Sequence, residues 1–449
     1  MHKLRKKLQE VRFVHEPVWR RGVSLPAFPS IKDSVKTDVL IIGGGLCGLL
    51  CAHYLKQAGV DCVLLEGAAI ASGISGHTTA KITSQHGLIY KKITETYGRE
   101  KALLYLTANQ QALAAYETLC RGIDCDFKKQ NAYTYSLRDR RKVEDEVQAV
   151  NALGFDAEFV QHVPLPFETK GAICFENQAQ FHPLKFIAEI AKDLCIYENT
   201  FMQEITPRGA QVNGHCVEAK SIIVATHFPF INKHGGYFLK LYQERSYVSA
   251  FSGCPPLDGM YVDEDEKGMS FRQSGAYWLI GGGGHRTGKK GGTWQPIHAF
   301  KEQYFPAAEC RYNWAAQDAM SLDGIPYIGQ YGKNTPNLYV ATGFNKWGMT
   351  SSMVAAMLLC DLVTGKQNDF VEVFSPQRSM IKPQLLVNGL ESAMNLLTPT
   401  RRRCPHLGCA LKWNKQEHSW DCPCHGSRFN EQGRLLDNPA TGDAKIKKD

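Results

Sequence analysis

Near the C-terminus, four side chains of two metal-binding types fall at fixed intervals. Cys404-x-His406 is followed, after the fifteen residues 407–421, by Cys422-x-x-His425. Two thiolates and two imidazoles in that order suit a binuclear [2Fe–2S] centre, with the sulfurs on one iron and the ring nitrogens on the other. A zinc ribbon is the competing reading, but it wants two Cys-x-x-Cys knuckles, and neither half has that form. A second chemistry is written near the other end. Gly43-Gly-Gly45-Leu-Cys-Gly48 satisfies G-x-G-x-x-G, a turn whose backbone can approach a pyrophosphate.

Both patterns need elements to hold them. Residues 37–42, Thr-Asp-Val-Leu-Ile-Ile, read as a buried parallel strand leading into the glycines. A helix-like stretch over 49–57 follows and Gly59 stops it; residues 60–65 read as a second strand ending in Glu66. In this arrangement Gly43 makes the tight turn, Gly45 admits the phosphates and Gly48 lets helix and strand pack closely. Glu66, 23 residues after Gly43, accepts the ribose hydroxyls. Residues 71–81, with Thr78 and Thr79, are small and hydroxylic and read as a loop. Late in the chain, 337–343 reads as another buried strand entering a glycine turn, Gly343 to Gly348-Met349-Thr350, with a helix from Ser351 to about Leu362.

These residues, with Asp323-Gly-Ile-Pro-Tyr-Ile-Gly329 and Ala225-Thr226-His227, resemble the D-amino-acid oxidase/glycine oxidase superfamily of FAD-dependent oxidoreductases. The resemblance implies an α/β fold: a Rossmann-like FAD-binding domain with an interleaved α+β substrate domain. It implies that Thr78 and Thr79 run beside the flavin and diphosphate. Gly343, Gly348, Met349 and Thr350 would cradle the ring and ribityl chain. His227 stands where the family commonly has glycine. The implied substrate is an amine or amino acid giving hydride to the flavin. The glycine oxidases' Gly-x-x-Arg-x-Gly reads Gly343-Phe-Asn-Lys346-Trp-Gly348 here, so Lys346 is either a weaker, non-bidentate carboxylate clamp or a solvent-facing turn lysine. Tyr247 and Arg272, on two strand-like stretches, either face the flavin or pack a sheet. His86 reads as structural or as a flavin neighbour. Some relatives link FAD to a cysteine before Asp-Gly-x-Pro; residues 314–322 contain none, which predicts dissociable FAD.

The C-terminal stretch resembles the respiratory-chain Rieske proteins, and the whole chain, over about residues 15–440, resembles a bacterial subgroup of these oxidoreductases fused to a Rieske segment. The resemblance implies a disulfide between Cys409 and Cys424 and a shielding loop at Pro439-Ala-Thr441. Ser427 is kept where high-potential members bond a hydroxyl to sulfur, whereas Phe429 replaces their Tyr, which predicts a lower potential. Too little chain precedes Cys404 for the usual strands, so a small, shortened β-type segment is expected, docked on the flavin domain or left as a remnant.

A length of 449 residues allows two or three domains. The expected partition is an N-terminal arm over 1–36, the FAD-dependent oxidoreductase over 37–375, a linker over 376–400 and the Rieske segment over 401–449. Within the oxidoreductase, FAD-binding parts fall at about 37–90, 150–230 and 319–375, and substrate parts at about 91–149 and 231–318. The charge of +8 is spread rather than gathered into a stripe, which argues against nucleic acid. No apolar run reaches the length of a membrane span, and the basic start (Lys3, Arg5, Lys6, Lys7) reads as a solvated arm without a signal-peptide core. Of fifteen cysteines, eleven are scattered without framework spacing, which predicts a reducing, cytoplasmic setting. The expected activity is oxidation of a small molecule with electrons passing between FAD and the cluster, and on to or from a one-electron partner protein. An oxygen-using oxidase with a structural cluster, and a non-catalytic redox sensor, are the alternatives.

Overall fold

The computed structural model describes residues 14–446 except 207, 233 and 266, so the basic start lies outside the described residues. Val35–Ile42 is an inner strand of an eight-stranded sheet, parallel to Cys62–Leu65 on one side and His215–Val224 on the other. Its last four residues are buried, as an apolar run covered on both faces must be. Val39 and Ile41 enter one core with the helices Leu46–Gln57 and Gly348–Val363, while Leu40 and Ile42 enter the core on the opposite face. Leu338–Thr342 adds a further parallel strand, and Tyr327–Gln330 closes that edge antiparallel.

A nine-stranded sheet forms the second body, built around the long antiparallel pair Leu241–Ser252 and Glu309–Ser321. Glu158–Val160 and Gly171–Gln180 belong to this sheet, although the expected partition counted 150–230 with the nucleotide fold. A strand's sheet is decided by its partner, here Lys128–Ser136, and not by its own pattern. Arg99–Cys120 is a long helix of 22 residues. The expected arm is packed in over its described part. Trp19 is buried and donates its Nε1–H to the Thr78 carbonyl at 2.7 Å, and Val14 bridges to Tyr312.

The third body is small. Lys412–Asn414, Ser419–Asp421, Arg428–Phe429 and Leu435–Asp437 form a four-stranded antiparallel sheet. All four strands follow Cys404, and the described residues 376–403 hold only the helix Pro383–Leu397, so the segment is indeed short. Among the described residues, no helix is long and apolar enough to cross a membrane.

Candidate functional site

One cleft of about 1120 Å³ runs between the two large sheets and reaches the third body. At one end is the glycine turn. Gly43 sits at φ +114°, and a Cβ there would meet the Ala225 carbonyl oxygen at 2.6 Å. A Cβ on Gly48 would lie 2.0 Å from the Gly43 carbonyl oxygen, so helix and turn touch backbone to backbone. Gly45 and Glu66 line the cleft, and Glu66 closes the turn by accepting from Gly44 N–H at 2.7 Å and Ala68 N–H at 2.8 Å. Burial pushes its carboxyl up, opposed by those two donors. Thr78, Thr79, Gly348 and Met349 also line the cleft, whereas Gly48, Gly343 and Thr350 lie behind its wall. Thr350 donates to the Thr83 carbonyl at 3.0 Å and meets His86 Nε2 at 3.0 Å; His86 stacks on Trp347 and bonds Tyr105 Oη at 2.6 Å.

His227, at the glycine-like position, adopts φ +65°, which explains why glycine suits this place. Its Nε2 is buried in the cleft wall without a hydrogen-bond partner. A spacious cleft, a turn that excludes a Cβ at Gly43 and Gly48 and an orphaned donor or acceptor fit a bound dinucleotide such as FAD.

The three expected substrate residues part company. Lys346 lines the cleft at φ +71°, with its Nζ 2.7 Å from Glu244 Oε2. Glu244 pairs across the strands with Asp318, which faces the same cleft. Burial pushes the Asp318 carboxyl up to about 6; Lys346 opposes the shift and Glu244 adds to it. Two carboxylates and one ammonium therefore meet where a carboxylate clamp was expected. Tyr247 touches the cleft, but its hydroxyl donates to Glu417 at 3.2 Å and its ring stacks on His285. Arg272 is outside the cleft: it is 1% exposed, donates to the Ala80 carbonyl at 2.6 Å and lies over Trp19. Of the two readings given for Arg272, packing is the one found, and the flavin-facing one is corrected: its guanidinium is taken up by the Ala80 carbonyl and the Trp19 ring. Lys81, not singled out in the sequence, lines the cleft and donates to Thr79 Oγ1 at 3.2 Å; burial, with Arg272 nearby, pushes its pKa down to about 7.

In the third body the four cluster residues come together as two pairs, Cys404 with Cys422 and His406 with His425. Nδ1 of His406 and Nδ1 of His425 lie 3.3 Å apart with ring planes at 89°. Burial pushes the imidazoles down to about 4 and about 3, the neutral state in which imidazole ligates. The Cys404 thiol is pushed down because the Cys422 thiol, the His406 N–H and Ser427 donate to it. Cys409 and Cys424 are joined in a disulfide. Their sulfurs also lie near Cys422 Sγ, but a disulfide has no thiolate left to bind iron. Ala440 N–H bonds Ser427 Oγ at 2.9 Å, folding the 439–441 loop over the centre, and Phe429 is fully buried at the expected Tyr position. Converging Nδ1 atoms and contacting thiols fit a [2Fe–2S] cluster.

The second ligand loop is docked on the large sheet. Gln243 Nε2 donates to the His425 carbonyl at 2.7 Å and the Asn438 carbonyl at 3.1 Å. Gln317 Nε2 donates to the Gly426 carbonyl at 2.9 Å and to Gln243 Oε1 at 2.8 Å. Asn438 Nδ2 in turn donates to the Thr226 and Phe228 carbonyls at 2.7 and 2.9 Å, beside His227. A buried ion network completes the joint. Glu417 binds Arg245 and, at 2.9 Å, Arg428; Arg428 also reaches Asp437 at 2.9 Å and Asp421 at 3.1 Å. Burial raises the Glu417 carboxyl, but the bonds from Arg245 and the charges of Arg245 and Arg428 bring it down to about 2. A depressed carboxyl stabilises above its unfolded pKa of about 4.3, and that contribution is lost as pH falls from there towards 2. Glu417→Gln should destabilise the third body by about 3–5 kcal/mol at neutral pH, leaving Arg245 buried with a weakened counter-charge. An acid titration followed by circular dichroism checks this, since the variant should lose the wild-type slope in that window.

A dinucleotide cleft joined to a Cys₂His₂ centre fits a flavoprotein with an iron–sulfur partner. A family model described as FAD dependent oxidoreductase (DAO) matches residues 38–362, and one described as Rieske [2Fe-2S] domain matches residues 377–447. The chain belongs to the DAO family of FAD-dependent oxidoreductases and carries a C-terminal Rieske domain; it is an enzyme of the FAD and [2Fe–2S] type. It is 32% identical over 493 aligned positions to YhfW of Bacillus subtilis (strain 168), described as a Rieske 2Fe-2S iron-sulfur protein, covering 95% of this chain and 96% of that one. It is 23% identical to the gamma-glutamylputrescine oxidoreductase of Escherichia coli (strain K12), over 76% of this chain and 87% of that protein. The fold matches the glycine oxidase of Geobacillus kaustophilus with a TM-score of 0.64 and 20% identity, over 77% of this chain and all of that one.

Proposed function

We propose that the protein oxidises an amine or amino acid and that the electrons pass between FAD and the Rieske centre within one chain, to or from an external one-electron partner. The observation that carries this reading is the joint itself: Gln243 and Gln317, on strands that wall the cleft, hold the peptide carbonyls of the cluster loop 425–426. Bound FAD would accept two electrons as hydride from the carbon beside nitrogen, leaving an imine, and the cluster would carry the electrons onward one at a time. In this reading the glycine turn and Glu66 hold the nucleotide half, and Thr78, Thr79, Gly348 and Met349 border the flavin half. Asp318 and Glu244, with Lys346 between them, favour a cationic amine over a lone carboxylate, because the three groups sum to one negative charge. The eleven free cysteines outside the cluster segment support a cytoplasmic setting.

Anaerobic mixing of the holoenzyme with a panel of primary amines, secondary amines and amino acids, read by flavin bleaching, tests the substrate class. Amines lacking an α-carboxylate should bleach fastest. Asp318→Asn should raise KM for them by about tenfold or more with a small change in kcat, the loss expected for one charge-assisted hydrogen bond. The KM should also fall as pH rises through about 6 in the wild type and not in the variant. Bleaching by amino acids alone, or an unchanged KM in Asp318→Asn, would remove the amine reading. Stoichiometric peroxide under air with no electrons delivered to a one-electron acceptor would replace the relay with a plain oxidase.

A further inference from the structure

The helix Pro383–Leu397 is inside out. Its polar positions Gln384, Asn388, Glu391 and Asn395 share one face, and that face points inward. Asn388 is 2% exposed, donates to the Leu239 carbonyl at 3.1 Å and accepts from Arg286 at 3.0 Å. Glu391 pairs with Lys289, and the Asn395 carbonyl accepts from Ala410 N–H at 3.0 Å. The opposite face carries Leu386, Leu390 and Leu397, which are 72%, 65% and 82% exposed, flanked by Val387 and Met394. The apolar surface continues off both ends. Ile381 precedes the helix at 88% exposure, and Leu407, next to the ligand His406, is also exposed. Arg403 bonds the carbonyls of Leu396 and Gly408, fixing the helix end to the first cluster loop. An apolar stripe of this size left in water marks a docking surface.

The charges around it name the occupant. Residues 376–407 hold five basic side chains; Arg378 is buried against Asp323, which leaves Lys382, Arg401, Arg402 and Arg403, and the one acid, Glu391, faces inward and is paired. No carboxylate of this segment stands on the apolar face. A second copy of the chain in a two-fold contact would set these same cations against themselves. The helix has 15 residues, too few to span a bilayer, which needs about 20, but suited to lying in its surface.

We propose that this face seats on an anionic lipid surface, with Leu386, Leu390 and Leu397 at the acyl boundary and Lys382 and Arg401 at the headgroup phosphates. The seating brings the loop of His406 to the membrane face of the protein. It does not depend on the substrate or on the direction of electron flow.

The test is flotation of the full-length holoprotein with vesicles of phosphatidylcholine containing about one-third phosphatidylglycerol, against vesicles of phosphatidylcholine alone. The protein should float with the anionic vesicles and bind neutral ones at least about tenfold more weakly. The double variant Leu390→Gln, Leu397→Gln should lose at least about tenfold in affinity. Its flavin absorbance and reduced-cluster spectrum should stay as in the wild type, showing that the fold is intact. Failure of the wild type to float with anionic vesicles overturns the proposal, as does unchanged flotation of the double variant. A dimer in light scattering that the same substitutions dissociate would also overturn it, assigning the face to a second copy.

Discussion

Replacing Cys422 by Ala should abolish the Rieske signal outright while leaving FAD bound. Cys422 is fully buried, its thiol donates to Cys404, and its N–H and carbonyl fix the turn through Ser427 and Gly426. Removing it leaves one thiolate on an iron that needs two, so the cluster cannot assemble. The nucleotide cradle should not feel the loss, because its bonds run to the parallel sheet: Gly43 N–H to the Leu65 carbonyl, Glu66 N–H to the Tyr197 carbonyl and Gly44 N–H to Glu66. Electron paramagnetic resonance of the dithionite-reduced protein, with the flavin absorbance of the same sample, checks both halves. A retained cluster signal would remove Cys422 from the ligand set; joint loss of flavin would mean that the third body is part of the flavin fold.

The second large effect is at Gly48. A Val there would place its Cβ 2.0 Å from the Gly43 carbonyl oxygen, backbone that cannot give way without opening the turn. Gly48→Val should yield protein without FAD, or none that folds, a loss beyond the roughly 1–3 kcal/mol of ordinary overpacking. Gly122→Ala is the control, since a Cβ at Gly122 meets nothing within 4 Å and the residue lies off the cleft. Flavin released by acid precipitation, measured per mole of protein, reads the outcome and also tests dissociable FAD. A full complement of FAD in Gly48→Val would contradict the packing role given to that glycine.

Features that a short stretch of chain specifies were legible in the sequence. Strand, glycine turn, helix and Glu66 lie within thirty-odd residues, and their spacing is their geometry. The cluster ligands are legible for the same reason, since each loop carries its own pair. Tyr247 and Arg272 were chosen from strands by residue type, but distant partners decide what a strand side chain meets. Glu417, 170 residues away, takes the Tyr247 hydroxyl, and Trp19 covers Arg272. Gln243 and Gln317 had no local signal, because they serve carbonyls 182 and 109 residues off. Asp318 did leave one: an acid in the otherwise uncharged stretch 314–322. Within the expected linker 376–400, the face of the helix that turns inward depends on Arg286, Leu239 and Ala410, which lie far off in the chain or after the linker.

The central claim is that electrons cross the joint between flavin and cluster. It is tested most directly by reducing wild type and Cys422→Ala with dithionite, removing the excess, and mixing each anaerobically with oxidised cytochrome c in a stopped-flow instrument. With the cluster as the outlet, wild-type flavin should reoxidise through it and the variant at least about tenfold more slowly. Equal flavin reoxidation rates in the two proteins would contradict the relay and leave the Rieske domain without a part in the electron path.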